Sequence, residues 1–194
     1  MARAWTAPVG RRVGAGAALA AMTIAASLLL AASPGVSSAL AGCPHATDRP
    51  HQTSLAKLGK AMRCLVNNKR AKHGGLGRLK DNDRLATAAR RHTKIMLEKD
   101  CFEHRCPGEK PLGKRIKRTG YTKGAKAYFY AEDLGYHNSP KRTIRKLMHS
   151  RFNRRNILGE DWRDIGVGAG WGAPKIKDSR KLETFTIVFA WRRP

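Results

Sequence analysis

A chain of 194 residues that opens with an export-like leader has room for one ordinary domain and not for two. Its 39 Lys and Arg against 14 Asp and Glu give a net charge of +25, or +22 without Arg3, Arg11 and Arg12 of the leader. A field that positive works against cationic partners and favours nucleic acid, an anionic lipid face or an anionic wall polymer; the alternative is a solvated basic surface.

Residues 1–41 read as a cleaved signal peptide, which places the protein outside the cell. Arg11-Arg12 close a positive region, residues 13–32 are uncharged, and Ser33-Pro34-Gly35 breaks the run. Ala39-Leu40-Ala41 is a small-x-small cleavage site. The apolar run is nearly long enough to span a bilayer, so an uncleaved anchor is one alternative. A lipobox at Leu40-Ala41-Gly42-Cys43, with a lipid on Cys43, is another; the Ser/Pro/Gly spacer favours cleavage after Ala41.

Four cysteines in an exported chain fit two disulfides with three possible pairings. Cys43 precedes the first long helix and Cys64 lies within it, while Cys101 and Cys106 bracket a short loop. The local pairings Cys43–Cys64 and Cys101–Cys106 are therefore expected, worth about 3 and about 2 kcal/mol by loop entropy. The rival is a zinc site at Cys101-x2-His104-x-Cys106, a spacing that matches no standard structural zinc pattern.

Residues 42–52 are a polar, Pro-bearing loop tied by a disulfide, and residues 53–194 form the domain. Leu55, Leu58, Met62 and Leu65 mark a first helix that ends near His73-Gly74-Gly75. Asp81-Asn82-Asp83 offers N-caps for a second helix with the stripe Leu85, Ala88, Ala89, Ile95 and Met96. His92 shares that face and reads as a half-buried, hydrogen-bonded histidine. A loop over residues 100–113 carries Phe102 and His104, and residues 111–118 read as a short helix stopped at Gly120. Tyr128-Phe129-Tyr130 reads as a buried or cleft-lining cluster. Glu132 and Asp133, set between aromatic and aliphatic residues, are either structural carboxylates or part of a site. Ser139-Pro140 starts a helix apolar at Ile144, Leu147 and Met148.

Asn156-Ile157-Leu158 closes another helical turn, and Gly159 is expected in a left-handed cap. Ile165-Gly166-Val167-Gly168 starts a buried strand, one face of which should press on a helix or line a cleft. Residues 171–181 connect it to a final strand, TFTIVFAW, rich in β-formers. Helices followed by strands argue for an α+β sandwich.

These pieces together resemble the CAP superfamily, or SCP domain, in its bacterial secreted branch. Cys64-Leu65-Val66-Asn67-Asn68-Lys69-Arg70-Ala71 is similar to the family's "C-L-x-N-x-x-R-A", and residues 85–96 to "L-x-x-A-A-x-x-H-x-x-x-M". Phe102-Glu103-His104 resembles "F-x-H", Gly120-Tyr121 "G-Y", and Ala131-Glu132-Asp133-Leu134 "G-E-N-I/L". Residues 150–158 resemble "S-P-G-H-R-x-N-I-L", and residues 164–168 "x-I-G-V-G". The resemblance covers residues 43–194 and implies an α-β-α sandwich with a small antiparallel sheet between helices.

It also implies a central cleft lined by two histidines and two acids. By position, one histidine is His104 and one acid is Glu132. Asn153 stands where the second histidine falls, and Ser150 near the second acid. Asp133 replaces the motif's asparagine, Leu147 replaces a common tryptophan, and His149 is one position off. The cleft set is thus His104, Glu132, Asn153 and Asp133. Two strong donors fall short of the three or four that zinc takes, so no metal or other cofactor is expected, zinc in the cleft being a weak possibility.

The function these features support is a secreted, non-enzymatic binding module, monomeric, that associates with an anionic cell-envelope polymer or lipid. Tyr128, Phe129, Leu134 and Ile165 are expected to wall a cleft for a small apolar ligand. Catalytic residues are not assigned. The alternatives are a hydrolase, either metal-assisted or with His104 as base and Glu132 as orienter, lacking an obvious nucleophile, and a cationic membrane- or nucleic-acid-active effector without a specific recognition motif.

Overall fold

The computed structural model describes residues 42–194; the signal peptide read over residues 1–41 lies outside them. Helix α1, Leu55–Lys72, starts where the Ser54 side chain accepts from the Lys57 N–H and stops at His73. Gly74 follows with φ +85°, a conformation cheap for glycine alone. Strand β1 is Lys80–Asp81, and α2 is Asp83–Glu98, with Asn82 accepting from the N–H groups of Arg84 and Leu85. Helix α3, Leu112–Arg118, leads to β2, Ala127–His137. Helices α4, Pro140–His149, and α5, Arg151–Ile157, meet at Ser150. Strand β3, Asp164–Trp171, and β4, Glu183–Arg193, complete the domain. Among the described residues no helix is long and apolar enough to cross a membrane.

The sheet order is β1-β3-β4-β2. Strand β4 is antiparallel to both β2 and β3, whereas β1 runs parallel to β3 through a two-residue contact. The sheet is therefore mixed at one edge rather than antiparallel throughout. Alternation along β4 divides the core. Phe185, Ile187 and Phe189 meet Leu58, Met62 and Val66 of α1 with Ile144 and Leu147 of α4. Val188 and Ala190 face the other way, onto Leu85, Ala88 and Ala89 of α2 and Ile116 of α3. The result is an α-β-α sandwich. Each large apolar side chain so buried contributes roughly 1.5–3 kcal/mol.

Two glycines show different constraints. Gly166 of β3 lies against α2: a Cβ there would fall under 3.0 Å from Ala86 N and Leu85 C, both helix backbone. The alternation of large and absent side chains in β3 is what lets α2 lie on the sheet. Gly159 was expected in a left-handed cap, but it is not among the positive-φ glycines. Leu158 caps α5 with φ −98°, and the space above Gly159 is filled by the Trp162 indole, which donates to Asn156 O at 2.8 Å.

Both expected disulfides are present, Cys43–Cys64 with Cα atoms 5.7 Å apart and Cys101–Cys106 at 5.9 Å. A sulfur in the first bond is not free to carry a lipid. The second bond rules out the Cys101/His104/Cys106 zinc alternative, because neither sulfur can be a thiolate ligand.

Candidate functional site

Successive residues of a strand point to opposite sides of the sheet, and this decides what Glu132 and Asp133 can do. Glu132 of β2 faces α2 and α3. Its Oε1 lies 3.0 Å from His104 Nδ1 and accepts from Arg115 Nη2 at 3.0 Å, while Oε2 is 3.0 Å from Arg115 Nη1. Asp133 faces the other helical layer, where its Oδ1 accepts from Asn156 Nδ2 of α5 at 2.7 Å. The structure thus brings His104 and Glu132 together and sends Asp133 to the far side of the sheet. Asn153 is the third residue of α5. Its N–H points to Ser150 Oγ at 3.5 Å, and its side chain makes no hydrogen bond to His104 or Glu132 among the described residues.

Three further residues complete the polar cluster. His92 is not half-buried, as its helical spacing suggested, but wholly buried, with Nδ1 at 2.8 and 2.9 Å from the two oxygens of Glu109. Its Nε2 points toward Glu132 Oε1 at 3.8 Å without a hydrogen-bond partner. Arg115 of α3 lies between the carboxylates, with Nε 3.5 Å from Glu109 Oε1 and Nη2 donating to His104 O at 2.9 Å. The Cys101–Cys106 bond closes the loop that carries His104, and the Cys106 N–H donates to Glu109 Oε2 at 3.3 Å. Sequence reasoning missed Glu109 and Arg115. The one available signal was local: an acid three residues past a loop-closing cysteine, followed by a short helix with a single apolar side.

The electrostatics follow from the contacts. Burial opposes ionisation of Glu132, but the hydrogen bonds from His104 and Arg115 outweigh it and hold its carboxyl below the ordinary range. The Glu132 hydrogen bond raises His104, whose side chain is 66% exposed. Asp133 is pushed up by burial to about 7, which the Asn156 hydrogen bond and the charge of His104 only partly offset. Replacing Glu132 by Gln is expected to bring the His104 titration down toward an ordinary imidazole value. NMR titration of the His104 ring protons reads this directly, and an unmoved midpoint would remove Glu132 as the cause.

This donor set does not fit zinc. The oxygens of Glu132 already face a guanidinium, a fixed positive charge, and the further nitrogens beside them are His104 Nδ1 at 3.0 Å and His92 Nε2 at 3.8 Å. No group of three His, Cys, Asp or Glu among the described residues is arranged to hold a metal ion. His149 and Ser150 add nothing, since His149 is exposed at the end of α4 and Ser150 caps α5. The expected apolar cleft does not form either. Ile165 is buried in the α1-side core and Leu134 packs beside Met96 and the Cys101–Cys106 pair. Tyr128, Phe129 and Tyr130 are 42%, 38% and 40% exposed at the start of β2, an edge strand, where Phe129 lies against Trp162 and Trp191 and Tyr130 against Gly113 of α3.

Comparison with known proteins bears on the fold. The model of the cysteine-rich secretory protein family, CAP, matches residues 64–188. An extracellular protein containing an SCP domain from Bacillus anthracis is similar at 23% identity and a TM-score of 0.54, over 71% of this chain and 43% of that one. An outer surface protein of Borrelia burgdorferi is similar at 16% identity and a TM-score of 0.59, over 74% of this chain and 99% of that one. A cysteine-rich secretory protein of Staphylococcus aureus is similar at 17% identity and a TM-score of 0.50, over 74% of this chain and 40% of that one. The match thus spans less than half of the Bacillus and Staphylococcus proteins. No curated protein matches.

Proposed function

The chain belongs to the CAP family of cysteine-rich secretory proteins, and from that premise we propose that it is an extracellular, non-enzymatic binding module that adheres to anionic polymers or headgroups of the cell envelope. The observation that carries this reading is the charge. The domain has a large excess of Lys and Arg, and several of its few acids are already engaged: Glu109 and Glu132 by Arg115, Asp81 by Arg63, Asp48 by His45. The basic surface is therefore left to an outside partner. The polar cluster supports the non-enzymatic part. A hydrolase would need a nucleophile beside His104, and the groups that His104 touches are Glu132 and, through its carbonyl, Arg115. All four cysteines are spent in disulfides.

Affinity for an anionic polymer is expected to fall at least about tenfold between low salt and about 0.5 M, because exposed charges are screened over a Debye length that shrinks with ionic strength. Titration of the purified protein into immobilised polymer at several salt concentrations measures it. An affinity indifferent to salt would show the positive surface to be incidental and would end this reading.

A further inference from the structure

The positive charge is not spread evenly, and one part of it is built into a groove. Between α1, the loop of residues 43–49 and the start of α4 lies a depression of about 570 Å³. Six cations line it: Arg49, Lys69, Lys72, Lys141, Arg142 and Arg145. No acid lines it, and none of the six takes part in an ion pair among the described residues. The nearest carboxylate in sequence, Asp48, is held by His45 at 2.8 Å. Helical spacing keeps the cations on one rim each: Lys69 and Lys72 are three apart on α1, and Lys141 and Arg145 four apart on α4. The disulfide Cys43–Cys64 and the Lys141 N–H to Ala46 O bond of 2.8 Å fix the loop that forms the third wall. The positive end of the α4 macrodipole lies at the same place. Like charges held this close repel one another, and a groove focuses their field on whatever enters it.

We infer that this groove binds a phosphodiester polymer whose charged groups are joined by short polyol links. This rests on the reading of the protein as a binder of anionic envelope components and names the site and the ligand chemistry. Three arginines supply forked donors that match phosphate oxygens, and three lysines supply point charges. The floor between the rims is Leu65 and Ile144, flanked by the amides of Asn68 and Asn138 and the hydroxyls of Thr47 and Ser139. Such a floor suits a neutral, hydroxylated link between two phosphates. No aromatic side chain lines the groove, so it offers nothing on which nucleic-acid bases could stack. Its apolar side chains are sunk between helices rather than projecting, which is the wrong shape for a bilayer surface.

The test uses purified protein and poly(glycerol phosphate) chains, with binding followed by calorimetry at low salt. The groove variant is Lys69→Gln/Arg142→Gln/Arg145→Gln. The charge-matched control is Lys114→Gln/Lys117→Gln/Arg118→Gln on α3. All six side chains except the partly buried Lys69 are exposed, and circular dichroism checks that both variants fold. The groove variant should lose about tenfold or more in affinity and the control no more than about threefold, since charge-assisted phosphate contacts are lost only in the first. Equal losses would overturn the groove while leaving adherence to anionic polymers standing. Absence of binding by the unmodified protein to any polyanion would overturn both. Tighter groove-dependent binding of single-stranded DNA of equal charge, or of anionic vesicles, would overturn the choice of ligand.

Discussion

Gly166→Ala is expected to cost more than about 3 kcal/mol and to lower the melting temperature by roughly 10 °C or more. The added methyl would stand under 3.0 Å from Leu85 C, Ala86 N and Leu85 Cβ. Two of these are backbone atoms of α2, so relief requires the helix to lift off the sheet. Lifting it loosens Leu85, Ala88 and Ala89 from Val188 and Ala190 along the whole of one core. Gly59→Ala is the contrasting case. It sits inside α1 with its nearest neighbour, Val167 O, 3.8 Å from the new carbon, and it should gain up to about 1 kcal/mol from helix propensity. Thermal melts of the two variants beside the parent decide the matter. A Gly166→Ala protein that melts within a degree or two of the parent would mean that α2 does not rest on β3 as described.

The second large effect is one of pH. Glu183 opens β4, paired with His137 on one side and Trp171 on the other. Its side chain is wholly buried, and neither carboxylate oxygen has a hydrogen-bond partner among the described residues. Burial, and to a smaller degree the charge of Asp48, push it up to about 8. A carboxyl whose folded pKa is raised keeps its proton in the native state while the unfolded chain gives it up. The native state therefore loses stability as pH rises from the ordinary carboxylate range through about 8, by on the order of 5 kcal/mol in total. Asp133, raised to about 7, adds a loss of the same sign below that pH. Glu183→Gln should remove about half of the slope and leave the part that Asp133 contributes. Chemical denaturation at about pH 5 and about pH 9 is the measurement. The parent should be markedly weaker at the higher pH, and the variant should lose only about half as much, the remainder being due to Asp133. Equal slopes in parent and variant would show that Glu183 finds a charged partner in solution.

Much of the architecture was legible because it rests on periodicity and punctuation. The helical spacing of Leu58 and Met62 and the caps Asn82 and Ser139 are local signals, and a helix obeys them wherever it packs. The alternation in Ile165-Gly166-Val167-Gly168 announced a close neighbour, although not which one. What could not be read was partnership across distance. Nothing near Glu132 says that Arg115, one of several cations in and beside a seven-residue helix, would be the one to turn inward. Adjacent acids likewise look alike in sequence, yet strand alternation gives Glu132 a guanidinium and Asp133 an amide. Asn153 and Asn156 show the same difficulty: positional matching drew attention to the first, and the fold gives the second the contact to a carboxylate. The aromatic triplet of β2, expected to be buried or to line a cleft, is exposed instead, because composition cannot tell an edge strand from a central one.

That triplet has a consequence for the protein in concentrated solution. Strand β2 is the outer strand of the sheet, eleven residues long, and it displays three large aromatic side chains at its free end. A strand of this kind is a template for another copy of itself, and proteins ordinarily blunt such edges with bulges, prolines or inward-pointing charges. Residues 127–137 contain no proline, and Lys126, Arg192 and Arg193 stand beside the aromatic end in the strand register. Glu132 and Asp133 are inward-pointing acids in the middle of β2, so its aromatic end is the less guarded part of the edge, and there the positive charge adds colloidal repulsion between two copies. Anything that neutralises that repulsion, whether molar salt or a saturating polyanion, is expected to shift the balance from dispersed molecules toward edge-to-edge stacking. Light scattering at rising ionic strength would register it as growth in particle size.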